Sequence, residues 1–289
     1  RAADELELTY YNALLGCLTE NLREVTYDNP MDGKNIKSQI PLSWFNNSGT
    51  PDMNCCQANA CRAIGEVSRW AAMTDQQALY LNFYSPCAIT AKTPSGRAIT
   101  LRIGGDYPLS GGVTVTAEGL ESEETFDLML RIPCWSKETT ASVNGAPIDG
   151  IEAGQYVRIH RTWQNGDCVA LDLDMSLHFW AGEGRLEGKT SVYYGPILMA
   201  LDQNVIGMPP QFVHLRMSDL SEAVPVGGDG EILWIALETK ALSGSAVRLI
   251  DYASAGKTGG LYNTWLQIYP APTPSLEDSS GVPIWTARP

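Results

Sequence analysis

The sequence predicts a mainly β protein that opens with a helical segment. Three observations carry this prediction. Before residue 77 the apolar residues recur at the 3.6-residue period of a helix. Beyond it they alternate with polar residues at the period of two that marks a half-buried strand. Between the alternating runs stand Gly-rich and Asx-rich turn signals.

Leu8, Tyr11, Leu15 and Leu18 are three or four residues apart, one face of a helix from about Ala2 to Thr19. Glu24 to Tyr27 reads as extended, and Asn29-Pro30 as a turn. Residues 31–54 are loop-like. A second helix is expected from about Cys55 to Ala72, with Ala60, Ile64, Val67 and Ala71 as its apolar stripe. Asp52 and Asn54 stand where a helix cap belongs. Strands follow around Ile99–Ile103, Val113–Val115, Phe126–Ile132, Val157–Ile159 and Val169–Leu173. Gly104-Gly105-Asp106, Gly111-Gly112, Asn144-Gly145 and Asn165-Gly166-Asp167 supply turns. This spacing fits an antiparallel sandwich. A second β-rich block covers about Gly188 to Ala241, including Val192–Leu201 and Ile232–Leu237. Leu261 to Tyr269 reads as one more strand, and Pro270 to Pro289 as a tail.

Composition limits the function classes. The chain has 289 residues, and at about 150 residues per domain this suggests roughly two domains. Hydrophobic residues are 44% and charged residues only 18%, which argues against disorder and against a long coiled coil. The net charge of −13 repels phosphate backbones, so nucleic acid is not an expected partner. No apolar run approaches the length of a membrane span. Arg1 begins directly in helix-like sequence, without an initiator Met or a leader-like apolar run, so the start reads as a cut end. Two helices need partners for their apolar faces. Either they pack on the sandwich, or they end a larger helical domain upstream of Arg1; the abrupt start favours the latter.

Few residues stand out as chemistry. The three histidines, His160, His178 and His214, make no ligand spacing with one another or with Cys or Glu, and no phosphate-binding loop or Gly-x-Ser-x-Gly turn occurs. Seven cysteines are an odd set for a disulfide framework, and most are expected to be reduced, buried thiols; Cys61 is read as core. Cys55 and Cys56 differ from the rest. Both fall in the predicted first turn of a helix, where unpaired N–H groups and the helix dipole favour a thiolate. Thiolates serve as nucleophiles and as zinc ligands. A buried structural pair is the competing reading.

Short motifs follow one another in a fixed order: Leu6–Leu18, Tyr27-Asp28-Asn29-Pro30, Trp44-Phe45, and Cys55-Cys56 with Asn59 and Arg62. The order continues through Leu79-Tyr80-Leu81-Asn82, Tyr107-Pro108, Leu130-Arg131-Ile132-Pro133-x-Trp135, Val143-Asn144-Gly145, Gly154-x-Tyr156, Trp163-x-x-Gly166-Asp167 and Tyr194-Gly195-Pro196. This order resembles glycoside hydrolase family 127 and its close relatives, bacterial enzymes typified by β-L-arabinofuranosidases. The resemblance covers about residues 5 to 200.

The resemblance implies an (α/α)6-barrel catalytic domain followed by β-sandwich domains. It implies a zinc ion held by a Glu and three Cys, a cysteine nucleophile that acts with retention, and a separate Glu as acid and base. By motif position Cys55 matches the nucleophile, itself a zinc ligand. Cys56 matches a second zinc ligand, and Tyr27 matches a tyrosine lining the sugar site. The implied substrate is an arabinose-containing carbohydrate. The resemblance places the other two zinc ligands and the acid/base Glu before the region matching residues 5 to 20. The 289 residues are therefore expected to be inactive and to bind zinc poorly without the remaining barrel portion.

On this reading, residues 1–76 are a remnant of the helical barrel, 77–187 a first β-sandwich and 188–245 a second. Residues 246–270 return to the first sandwich, and 271–289 form the tail. A non-catalytic carbohydrate-binding protein, stacking sugars on some of its 8 Trp and 12 Tyr, remains an alternative. So does a thiol redox or structural-metal module built on Cys55 and Cys56. Oligomeric state is open, as is the choice between cytoplasm and periplasm.

Overall fold

The computed structural model describes residues 1–20, 22, 25–26, 29–35, 55–228 and 234–272. The chain divides into two compact units. As far as residues are described, one takes in Arg1–Glu7 and Glu66–Ser176, the other Leu8–Gly65 and Leu177–Ser275. The chain is mainly β, with an opening helical run and a 16-residue helix at Cys55–Trp70. No described helix is long and apolar enough to cross a membrane.

The first unit holds two sheets. A six-stranded antiparallel sheet runs in the order Cys87–Lys92, Ala98–Gly105, Gly112–Glu118, Cys168–Asp172, Thr140–Val143, Ala146–Pro147. A four-stranded sheet runs Tyr156–Trp163, Glu124–Arg131, Ala78–Leu81, Ala72–Thr74, with the central Ala78–Leu81 pairing parallel to Glu124–Arg131. The period-2 pattern decides the faces. Leu101 pairs with Ala117, Ile103 with Val115, and Val115 in turn with Val169, so the buried rows are continuous across strands. Leu79, Leu81, Phe126, Leu128, Leu130, Val157 and Ile159 form the buried set of the other sheet. At the Thr140–Val143 hairpin, Asn144 and Gly145 both take positive φ, 49° and 82°, the two-residue turn that Asn-Gly favours.

One residue breaks the alternation. Arg131 follows Leu130 at a position the pattern assigns to the polar face, yet it is only 2% exposed. Its guanidinium donates to Asp4 Oδ1 (2.8 Å), Glu7 Oε1 (2.7 Å) and the carbonyl of Asn82 (2.8 Å). The Tyr107 hydroxyl donates to Glu7 Oε1 at 2.6 Å, the Trp135 indole N–H reaches Glu7 Oε2 at 3.4 Å, and the Tyr84 hydroxyl donates to the Arg131 carbonyl. Burial alone would lower the Arg131 pKa, but the Glu7 and Asp4 carboxylates hold it above its ordinary value. Asn82, Tyr107, Arg131 and Trp135 were four separate motif residues in the sequence. They converge here to fix the helix Ala2–Leu8.

The second unit is built on an eight-stranded sheet. Its main path runs Asp32–Gly33, Tyr262–Asn263, Ile197–Asp202, Ala246–Asp251, Ile235–Lys240, Val224–Gly227. Thr190–Tyr194 joins Ile197–Asp202 and Leu177–Ala181. Every residue of Ile197–Asp202 is buried, and the strand changes partner along its length. Ile197 and Leu198 pair with Tyr194 and Tyr193, Met199 and Ala200 with Asp251 and Ile250, and Leu201 and Asp202 with Asn263 and Tyr262. His214–Arg216 and Gln267–Tyr269 form a separate parallel pair.

Three sequence expectations change. Residues 246–270 do not return to the first sandwich. Ala246–Asp251 lies between Ile235–Lys240 and Ile197–Asp202, where Leu249 and Ile250 are buried. Leu177–Ala181 pairs with Thr190–Tyr194 and so also belongs to the second unit. The expected strand over Leu261–Tyr269 is two short ones, Tyr262–Asn263 and Gln267–Tyr269. The ladder is interrupted because Asp32 Oδ1 accepts from the backbone N–H groups of Thr264 (2.7 Å) and Trp265 (3.1 Å). The opening helix also departs from a uniform period: Ala2–Leu8 is α-helical and Thr9–Leu14 is a π-helical stretch. There Asn12 turns inward. Its amide donates to the carbonyls of Leu8 and Pro196 at 2.8 Å and accepts from Leu198 N–H at 2.7 Å. A side chain bonding to helix carbonyls is a recognised cause of such a local widening.

Candidate active site

Cys55 and Cys56 open the helix Cys55–Trp70, as the sequence predicts. Cys55 is exposed and Cys56 half-buried, and their sulfurs stand 3.9 Å apart. Two other motif residues occupy the same stretch of helix. The Asn59 amide donates to the carbonyl of Cys55 at 2.9 Å, and the Arg62 guanidinium donates to Asn59 Oδ1 at 3.0 Å. The chain Arg62–Asn59–Cys55 thus tethers the first turn at the thiol pair. The proposed caps Asp52 and Asn54, together with Trp44, Phe45 and Tyr27, lie outside the described residues.

The pair can be tested against zinc by its donor chemistry. A tetrahedral site with Zn–S distances of about 2.3 Å has sulfurs about 3.8 Å apart. The observed 3.9 Å fits two adjacent thiolate ligands on one ion. Four ligands are needed, and among the described residues no group of three or more His, Cys, Asp or Glu side chains stands close enough to bind a metal. Cys55 and Cys56 therefore fit half of a zinc site.

The other thiols correct the composition-based expectation. No disulfide joins any of the seven cysteines, but only Cys134 is buried; Cys61, expected in the core, is exposed, as is Cys87. Burial pushes Cys134 up to about 12, which makes it an inert thiol. Cys17 was overlooked in the sequence. Burial raises its pKa, the Lys257 ammonium draws it partly back, and the thiols of Cys56 and Cys61 raise it further. Cys17 thus lies within electrostatic reach of Lys257, Cys56 and Cys61. Burial in turn lowers Lys257 to about 8, against the pull of Asp251 and Cys17. No local sequence signal pointed to Lys257, which lies 240 residues from Cys17.

The histidines take structural places. His160 is exposed and bonds Asp127 at 2.5 Å, His178 is buried, and His214 packs its ring against Tyr269.

The last turn of the opening helix is closed by side chains. The carbonyls of Ala13, Leu14, Leu15 and Gly16 accept from Asn29 Nδ2 (2.8 Å), Cys17 Sγ (3.0 Å), Lys257 Nζ (3.2 Å) and Asn35 Nδ2 (2.9 Å), respectively. These carbonyls stand at the helix end, where intrahelical donors run out; Ala13 and Leu15 also accept from the backbone N–H groups of Cys17 (3.0 Å) and Leu18 (3.2 Å), and an ammonium there complements the negative end of the helix dipole. Gly16 sits close to its neighbours: a Cβ would stand 3.2 Å from the Tyr252 ring and 3.3 Å from the Asn29 amide, so those side chains would have to give way by a few tenths of an ångström.

Comparison with known proteins agrees with the motif order. Residues 78–175 match the family described as "Beta-L-arabinofuranosidase, GH127 middle domain". No curated protein matches the chain. A solved structure titled "Glycoside hydrolase" superposes with a TM-score of 0.77 at 23% identity, over 92% of this chain and 48% of that one. The GH127 β-L-arabinofuranosidase Ara127N-Se from Geobacillus stearothermophilus T6 gives a TM-score of 0.71 at 22% identity, over 92% of this chain and 46% of that one. A further GH127 β-arabinofuranosidase gives 0.75 at 21%, over 92% and 45%. The chain thus spans just under half the length of these structures and shares their fold over that span. The match at residues 78–175 bears out the resemblance to family 127.

Proposed function

We propose that this chain is part of a retaining glycoside hydrolase of the family-127 type, acting on an arabinose-containing glycan, with Cys55 as nucleophile. The single observation that carries the reading is the thiol pair at a helix N-terminus, 3.9 Å between sulfurs, in a chain whose residues 78–175 match that family. Cys55 and Cys56 would hold zinc. When bound, the ion supplies positive charge that keeps a thiol deprotonated at neutral pH. Two further ligands and an acid/base Glu are required, and we place them, with the bulk of an (α/α)6 barrel, outside these 289 residues.

The protein's own residues divide the work. The Cys55 sulfur is the exposed member of the pair and the one able to reach a substrate. Its lone pair attacks the anomeric carbon as the bond to the departing oxygen breaks, and the acid protonates that oxygen. Water, deprotonated by the same group, then displaces the sulfur and regenerates the thiolate. Two inversions give net retention. Asn59 and Arg62 hold the backbone from which the sulfur is aimed, and alignment of this kind is a large part of the rate. Tyr27 is proposed to line the sugar.

In the longer protein containing this chain, Cys55→Ala should abolish hydrolysis of an aryl arabinofuranoside with the fold retained. Unchanged hydrolysis would overturn the reading in favour of a non-catalytic carbohydrate-binding role. The 289 residues alone should be inactive on the same substrate.

A further inference from the structure

We propose that the cleft beside Ala246–Asp251 in the second unit takes an extended, uncharged peptide segment of a partner protein, which adds to the sheet as one more strand.

The backbone calls for a peptide. Ala246–Asp251 is an inner strand of the eight-stranded sheet, yet part of one side lies open. Ala241 N–H donates to the Ser245 carbonyl at 2.8 Å, and Tyr252 N–H donates to the Leu198 carbonyl at 2.8 Å. Successive residues of an antiparallel strand address opposite neighbours. Ser245, Val247, Leu249 and Asp251 therefore address Ile235–Lys240, while Ala246, Arg248 and Ile250 address Ile197–Asp202. The ladder with Ile197–Asp202 includes only Met199 and Ala200. Leu201 and Asp202 pair with Asn263 and Tyr262 instead, and Gln203–Ile206 turns helical. Among the described residues no strand pairs with Ala246 and Arg248 on that side, and both residues are exposed. Strand N–H and C=O groups left open in this way are a template for another strand.

The side chains set the character of the occupant. Ala246 and Val247 line a cleft of about 690 Å³ together with Ile206, Met208, Phe212 and Leu242. Phe212 is 69% exposed and Met208 47%, a large apolar surface for one rim. No Asp, Glu, Lys or Arg stands in the lining, although the chain carries a net charge of −13. Charge complementarity thus favours an uncharged segment. In a strand every second side chain faces the same way, so the segment should carry apolar residues at alternate positions. A sugar fits less well. Its hydroxyls need many polar partners, and the cleft offers His214, Ser243 and Ser245, of which Ser243 already donates to Ser245 at 3.2 Å.

The test is a selection from a phage library of random heptapeptides on the longer protein containing this chain. We expect the recovered sequences to converge on apolar residues at alternate positions, with few charges. The consensus peptide, made with blocked ends, should bind about tenfold more weakly to Phe212→Ala and to Leu242→Glu. Both positions are exposed, so these variants should melt like the parent. N-methyl groups on alternate residues give a sharper readout. One alternating set removes the N–H groups that meet the strand edge and should weaken binding about tenfold; the other set should not. No convergence, equal binding by the two N-methylated peptides, or undiminished binding to both variants would each overturn the inference. So would an arabino-oligosaccharide that binds the parent but not Phe212→Ala while no peptide is recovered. Hydrolysis in Cys55→Ala is a separate readout, so failure here leaves the hydrolase reading untouched, and the reverse.

Discussion

The opening helical run is fixed at its two ends by different physics. At its start, Asp4 and Glu7 are buried carboxylates gripped by a buried Arg131. At its end, the carbonyls of Ala13 through Gly16 meet two amides, a thiol and an ammonium. The first arrangement is concentrated: three charges depend on one another with almost no water to replace a lost partner. The second is distributed, since each cap satisfies one carbonyl and its loss leaves the others intact. Buried ion clusters therefore fail abruptly, and capped ends fail by degrees.

Breaking the first end should give the largest effect. Arg131→Met takes the buried guanidinium away from Asp4 and Glu7 and should cost about 3–5 kcal/mol in urea unfolding. Adding Asp4→Leu and Glu7→Leu to that variant should restore much of the loss, because the uncompensated charges are gone. A mild effect of Arg131→Met alone would show that water reaches the cluster, and the contrast between the ends would disappear.

The pH dependence sharpens the contrast inside the second unit. Burial raises Asp251 to about 7 from the ordinary value of 3.8, despite N–H donors from Ile235 and Ser254. The folded chain then holds more protons than the unfolded chain between those pH values. Stability should fall as pH rises from about 4 to about 7, by on the order of a few kcal/mol. Asp251→Asn should flatten that slope. Lys257 works in the opposite sense. Its folded pKa is lowered to about 8, so the unfolded chain binds more protons above that value and stability should rise from pH 8 toward 10.5. Equilibrium unfolding across this range checks both signs.

A single cap should matter less. Asn29→Ala removes one hydrogen bond to the Ala13 carbonyl, which also accepts from Cys17 N–H at 3.0 Å, and one acceptor of the Tyr252 hydroxyl, which keeps the Asn29 and Pro30 carbonyls within reach. The expected cost is about 1 kcal/mol in the same unfolding experiment. A cost approaching that of Arg131→Met would mean the capped end behaves as one unit. Smallest in energy, but direct, is the order of thiol labelling in the folded chain. Cys55, Cys61 and Cys87 should react with a soluble disulfide reagent first and Cys134 last. Peptide mass mapping over time reads that order.

Much of the fold was legible because its elements rest on local periods. The strands around Ile103, Val115, Leu128 and Val169 follow from alternation, and the helix from Cys55 follows from its stripe and placement. What escaped depends on residues distant in sequence. Arg131 sits on the nominally polar face and is buried only because Asp4 and Glu7, more than 120 positions away, neutralise it. The pairing of Ala246–Asp251 with Ile197–Asp202 has no local signature, so those residues were assigned to the wrong unit. The thiols show the same limit. Composition favours buried cysteines, but only the surrounding fold decides that Cys134 is covered and Cys61 is not. Of the candidate site, Cys55 and Cys56 were legible through helix position and motif order. Cys17 and Lys257 were not, because their places arise from the folded neighbourhood of the helix end.

On the proposed function, a cysteine of this chain carries the sugar during turnover. The most direct test is to quench the longer protein during hydrolysis of a slow arabinofuranoside and map the protein by mass. One pentosyl group is expected on the peptide containing Cys55, absent from Cys55→Ala. Turnover with the pentosyl group on a carboxylate residue, and none on Cys55, would contradict it.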